Sequence, residues 1–293
     1  MEIKGRLRWL HQFVFVGPAV AVFVLIIAVP LMLTGYYSMT EWNGVSGSVN
    51  WIGLGNFKQI FMEDEGFASS FLFTLWLTVA IVILTNLVGF SLAYALTLPL
   101  RSRNVLRTVF FVPNVLGGLL LGFIWKFIFV QGFGALGDLT NWPFFQWAWL
   151  GTEATAFWGI VIVSVWHNAG YMMVIYIAGL MNVPSDLKEA ARIDGARPWQ
   201  VMRNVTLPMV MPSITVCLFF SIAWTFKIYD VNFSLTGGGP FGSTRSVAMD
   251  IFQEAFQYNR FGLGTAKALI FFVIVALITA TQVYLTKRRE VEM

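Results

Sequence analysis

One cysteine and two histidines in 293 residues leave little material for redox, metal or disulfide chemistry. With Cys217 alone, an intrachain disulfide is impossible, and the histidines form no cluster at metal-ligand spacing. Charge is equally scarce. Asp, Glu, Lys and Arg make up 12% of the chain, about half the roughly 25% of a soluble domain, while hydrophobic residues make up 57%. A water-soluble fold of this size cannot cover so much apolar surface. The phosphate-cradling sequence G-x-x-x-x-G-K-[ST] is absent, so the chain lacks the loop that ATP hydrolysis requires. No constellation of base and nucleophile marks an enzyme, and no cofactor is expected on this chain.

What the sequence has is long apolar runs. A hydrocarbon core of about 30 Å demands about 18 or more apolar residues in a spanning helix, whose backbone groups must bond within the segment. Such runs lie at 13–37, 71–98, 107–130, 154–181, 205–233 and 264–286. The first follows a basic lead (Lys4, Arg6, Arg8) but exceeds the roughly 7 to 15 residues of a signal-peptide core, so it reads as an uncleaved span. Outer-membrane strands would alternate in polarity over about ten residues. The fold expected is therefore an all-α bundle of six transmembrane helices forming one membrane domain over 1–293.

The basic residues flanking these runs fall on one side: Lys4, Arg6 and Arg8; Arg101, Arg103 and Arg107; Lys188, Arg192, Arg197 and Arg203; Lys287, Arg288 and Arg289. Loops on the other side carry Glu41, Glu63, Asp64 and Glu65 against Lys58, then Asp138 and Glu153. By the positive-inside rule both termini are cytoplasmic. The net charge of +4 is mostly this orientation signal, and nucleic acid is not an expected partner. Trp42 and Trp51 in one outer loop and Trp142, Trp147 and Trp149 in another suit the headgroup layer.

The segment at 183–206 reads as two short helices joined by a turn. Ser185 stands as an N-cap after Pro184, Asp186 suits the positive helix end, Asp194-Gly195 supplies a stop, and Pro198 fits the first turn of the second helix. Leu187, Ala190 and Ala191 share a face small enough to enter a groove on another protein. This segment resembles the EAA loop of binding-protein-dependent ABC importer permeases: Glu189-Ala190-Ala191, Asp194-Gly195-Ala196, Leu207-Pro208 and Pro212 stand at that family's spacing, with Met202 and Val205 as apolar replacements. The resemblance implies a type I importer permease in a bacterial or archaeal cytoplasmic membrane. It also implies that this loop docks on a separate ATPase, with Glu189 making polar contacts and Gly195 the turn. Two ATP-binding subunits, a second similar permease and an extracytoplasmic solute-binding protein are the implied partners, and ATP is consumed on the partner subunits.

The stretch Tyr229-Asp230 followed by Leu235-Thr236-Gly237-Gly238-Gly239-Pro240 resembles the maltose-type and glycerol-3-phosphate-type carbohydrate branch. Read from the residues, ionisable groups at membrane depth are functional candidates. Lys227 and Asp230, at i and i+3, share a face in a continuous helix and partly neutralise each other. His167 and Asn168 fall roughly 20 Å into the fourth span, with Tyr171 one turn beyond. Trp224, Tyr229 and Asn232 complete the candidate solute pathway, and Asn86 and Lys126 are assigned structural roles. A phosphate solute would favour several cationic residues in the cavity. Only Lys126 and Lys227 are counted near membrane depth, so a neutral mono- or oligosaccharide is preferred over glycerol phosphate. An ion-driven secondary transporter is the alternative, but it would leave the 183–206 pattern unexplained.

Overall fold

A computed structural model describes residues 14–288 and 290 of the chain. Phe13, Lys4, Arg6, Arg8 and Arg289 therefore lie outside the described residues. Among the described residues the architecture is all-helical apart from one isolated bridge between Thr40 and Trp51. Among the described residues six helices are long and apolar enough to cross a membrane: α1 (Val14–Tyr37), α3 (Glu65–Thr97), α5 (Gly118–Thr140), α6 (Glu153–Met181), α8 (Pro198–Phe226) and α11 (Phe261–Lys287). Between them stand α2 (Gly55–Met62), α4 (Arg103–Phe111), α7 (Ser185–Ile193), α9 (Asp230–Leu235) and α10 (Val247–Phe252). The chain divides into two compact units, Met1–Glu65 with Ile251–Phe272, and Gly66–Asp250 with Val273–Met293.

Two expected spans are broken. The run at 107–130 does not form one helix: α4 ends at Phe111, a 3-10 turn covers Val112–Val115, and α5 begins only at Gly118 and continues to Thr140. Pro113 has no N–H to extend the helix, and Leu116 and Gly117 turn extended, with ψ of 136° and 137°. The run at 205–233 is also divided. Its helix begins at Pro198, absorbing the second short helix expected in the loop, and ends at Phe226. Lys227, Ile228 and Tyr229 form a break, and α9 starts at Asp230.

In the larger unit α6 is the central helix, with 56% of its apolar window buried against 33% for α3 and 28% for α8. The polarity of α3 is inverted relative to a water-soluble helix. Its buried stripe includes Ser70, Thr74, Thr78 and Thr85, while Leu72, Trp76, Ile83 and Leu87 face outward. Small and hydroxylated residues let membrane helices approach closely, and apolar residues face lipid. Glycine does the same for α6: a Cβ on Gly170 would collide with the Phe110 carbonyl of α4, and one on Gly179 with Ser213 of α8. Two apolar cores form along α6. One holds Leu77, Ile81, Leu121, Ile160, Val163 and Leu235, the other Ala93, Met172, Met173, Tyr176, Val210 and Cys217.

The smaller unit contains a charge that the sequence reading overlooked. Lys267, six residues into α11, is 1% exposed and lies 2.7 Å from both Asp64 and Glu254, while Arg260 lies 2.6 Å from Glu254. Lys126 and Lys227 are thus not the only lysines at the depth of a span. These two acids and two bases balance one another in charge, and a buried charge needs such pairing. In the same unit Asn56 donates to the Ser38 and Thr40 carbonyls, both at 2.9 Å, and so pins α2 to the residues after α1.

Candidate functional site

The interval of α6 between its two apolar cores carries Ser164, His167 and Asn168. There a cavity of about 260 Å³ opens, just below the roughly 300 Å³ at which small-ligand pockets begin. Both helix breaks end on it. Asn114 and Gly118 come from the α4–α5 break; Trp224, Lys227, Tyr229 and Asp230 come from the α8–α9 break. Six of the eight pathway residues chosen from sequence (His167, Asn168, Trp224, Lys227, Tyr229 and Asp230) therefore line one cavity. Tyr171 stands behind it, its ring 5.6 Å from that of Trp224. Asn232 does not reach it: fully buried, it donates to the Thr244 carbonyl at 2.8 Å and holds the loop after α9.

The breaks explain the local bonding. A helix end leaves carbonyls without intrahelical partners. The Leu116 carbonyl, freed where the chain turns extended, takes a hydrogen bond from the His167 ring at 3.1 Å. Asn168 donates to the Ser164 carbonyl at 2.9 Å, and the Asn114 amide faces the Asn168 oxygen at 3.5 Å. The Ser164 hydroxyl is buried with no partner of its own. The expected mutual neutralisation of Lys227 and Asp230 is not found: no ion pair joins them among the described residues. The i,i+3 argument needs an unbroken helix, and the chain leaves helical geometry at Lys227 and Tyr229. Both side chains remain exposed, so each presents its charge separately.

Asn114 and Ser164 were missed, although an amide next to Pro113 inside an apolar run is a readable signal. Asn86 is fully engaged, donating to Val82 and Ser221 and accepting from the Tyr176 hydroxyl at 2.7 Å, so it ties α3, α6 and α8 together. The cavity thus offers amides, a hydroxyl, one cation, one anion and aromatic rings within an apolar wall. It contains no activated nucleophile.

At the opposite ends of α3 and α6, the 183–206 segment forms a second surface. Helix α7 ends in a Schellman turn: the Ala196 N–H donates to the Ala191 carbonyl at 2.9 Å and the Gly195 N–H to the Arg192 carbonyl at 3.0 Å. Gly195 has φ +84°, the left-handed conformation that this turn needs. Ser185 is the first helical residue rather than the N-cap, a position held by Pro184. Glu189, Ala190, Asp194 and Gly195 are exposed, with Ala191 and Ala196 half-buried. Leu187 and Ile193 also face outward, Ile193 at 84% exposure.

A midspan polar cavity in an all-helical bundle, with an exposed helix-turn at the bundle's end, defines a multi-pass membrane transport protein. The chain belongs to the family described as binding-protein-dependent transport system inner membrane components, whose profile matches residues 85–291. It is 44% identical over 290 residues, 99% of this chain and 97% of the relative, to the probable starch degradation products transport system permease protein AmyD of Thermoanaerobacterium thermosulfurigenes. It is 34% identical over 262 residues, 89% and 90% of the two chains, to the multiple sugar-binding transport system permease protein MsmF of Streptococcus mutans. Its fold matches a chain of the bacterial alginate ABC transporter solved with an alginate pentasaccharide-bound periplasmic protein, with a TM-score of 0.83 at 18% identity over 97% and 96% of the two chains.

Proposed function

We propose that this chain is the membrane-spanning permease subunit of an ATP-driven importer that moves a neutral sugar into the cytoplasm, acting as one permease domain with both termini cytoplasmic. The observation that carries the reading is the convergence of amide, hydroxyl and aromatic groups from three helices on one midspan cavity. Hydroxyl-rich solutes need fixed donors and acceptors within an apolar wall, and aromatic rings offer faces for the C–H surfaces of a sugar. One lysine and one aspartate on the same break give no excess of cationic charge for a phosphate. The relatives named for starch products and multiple sugars support the same class.

The exposed α7 turn is the candidate contact with an ATPase subunit that hydrolyses ATP, with Glu189 and Asp194 as polar contacts and Ala190, Ala191 and Ala196 leaving room for a partner's groove. A second permease, two such ATPases and an external solute-binding protein complete the proposed assembly. The carbohydrate branch in which the chain resembles its relatives is one where permeases pair. Two access states must be biased by ATP on one side and loaded binding protein on the other.

Affinity purification from membranes expressing the native operon tests the assembly. Unsubstituted chain is expected to recover an ATPase and a second permease, and Gly195→Asp to lose the ATPase while keeping the permease. An L-residue in the left-handed conformation costs about 1 to 2 kcal/mol, although open space surrounds the missing Cβ. Recovery of no ATPase with either form overturns the reading in favour of an ion-driven transporter.

A substitution in the cavity tests the solute route. Asn168→Ala is expected to lower sugar uptake roughly threefold to tenfold, the worth of one hydrogen bond, with assembly and ATPase recovery intact. Unchanged uptake would remove Asn168 from the pathway.

A further inference from the structure

We propose that the cavity between α7 and the ends of α3, α6 and α8 is a binding site for a phosphate-bearing anion, with a phospholipid headgroup as its favoured source. The cavity is about 350 Å³ and is lined by Lys188 and Arg192, with no carboxylate among its lining residues. These two cations stand at i and i+4 on α7 and so project from one face. Neither forms an ion pair among the described residues.

A simpler use for the cations is to neutralise nearby helix ends. The C-termini of α3 and α6 each carry roughly half a negative charge, and the N-terminus of α8 roughly half a positive one. Two full cations therefore leave the cavity with a surplus of about one and a half positive charges. A planar guanidinium beside an ammonium is a strong donor set for phosphate oxygens.

The position of the cavity argues for lipid. Thr97 and Met181 are the last residues of α3 and α6, and Pro198 is the first of α8, so the cations lie at the level where spanning helices leave the hydrocarbon. Leu98, Leu180 and Val183 line the same cavity and supply an apolar wall for the glycerol end of a lipid. A bound anion would tether α7, the helix carrying Glu189, to the ends of the spans.

The test uses full-length chain reconstituted in nanodiscs of phosphatidylcholine with or without phosphatidylglycerol, followed by native mass spectrometry of retained lipid. Each cation near an anionic surface contributes about fivefold, so Lys188→Gln with Arg192→Gln is expected to reduce phosphatidylglycerol retention about 25-fold. The exchange Lys188→Arg with Arg192→Lys should retain most of it, and Arg101→Gln all of it. If retention is unchanged but inorganic phosphate raises the melting temperature of the unsubstituted protein and not of the double variant, the site belongs to a soluble phosphate compound. Equal retention in both forms with no phosphate-dependent shift overturns the proposal. So does an equal loss in Arg101→Gln, which would make the effect one of diffuse charge.

Discussion

Gly170→Val is expected to destabilise the folded chain by about 3 kcal/mol or more, the upper range for overpacking, because the obstacle is backbone rather than a movable side chain. A Cβ at this position meets the Phe110 carbonyl oxygen and carbon, and the next nearest atom is the Cα of Phe111 at 3.0 Å. Helix α4 would have to withdraw from α6. Leu106 and Phe110, which pack beside the core holding Met172 and Tyr176, would move with it. Thermal unfolding in mild detergent measures the effect against Gly134→Ala, where nothing lies within 4 Å of the added atom. Equal midpoints for the two variants would mean that α4 does not seat on α6 in the membrane.

Lys267→Met is expected to cost about 3 kcal/mol, because removing one member of a buried ion cluster leaves an uncompensated charge. Glu254 keeps Arg260 at 2.6 Å, while Asp64, whose side chain is 19% exposed, loses its 2.7 Å ion pair with Lys267. The sign of a second substitution follows. Adding Asp64→Asn to Lys267→Met restores a neutral cluster of Glu254 and Arg260 and should recover most of the lost stability. Chemical unfolding of the single and double variants gives the coupling directly. If the double variant is less stable than the single one, the Asp64 carboxylate does not depend on the Lys267 charge for its compensation.

The number and type of the spans were legible because apolar runs of membrane length have few alternative readings. Their interruptions were not. Pro113 and Gly117-Gly118 mark the first break by composition, yet the surrounding residues are so apolar that hydropathy runs across it. Nothing in Lys227-Ile228-Tyr229 breaks a helix by propensity. The second break is set by tertiary packing, with the Ile228 carbonyl accepting from the Ser246 hydroxyl at 2.9 Å. Polarity in an apolar context thus picked out six residues that share one cavity, while their mutual geometry was assigned to the wrong backbone. Gly195 is the converse case. Its role as a helix stop could be read directly, since a Schellman turn is a local event in sequence.

Asn232 shows the limit of selection by polarity. Included among the pathway residues as a polar group near the end of an apolar run, it is buried away from the cavity and holds a loop twelve residues away in sequence. Lys267 shows the reverse error. It sits in a strongly apolar span, and its partners, Asp64 and Glu254, are in segments whose proximity no local pattern reveals.

The two breaks have a mechanical consequence. Helix α6 runs uninterrupted past the cavity, so it is a stiff post, whereas the walls opposite it are jointed at Leu116–Gly117 and at Lys227–Tyr229. A jointed wall swings by rotation about a few backbone bonds without unwinding any turn of helix. Two hydrogen bonds link post and first wall at the cavity, from His167 to the Leu116 carbonyl at 3.1 Å and from the Asn114 amide to the Asn168 oxygen at 3.5 Å. Each bond is made by a side chain that lines the cavity, and a solute hydroxyl is of the right chemistry to compete for either.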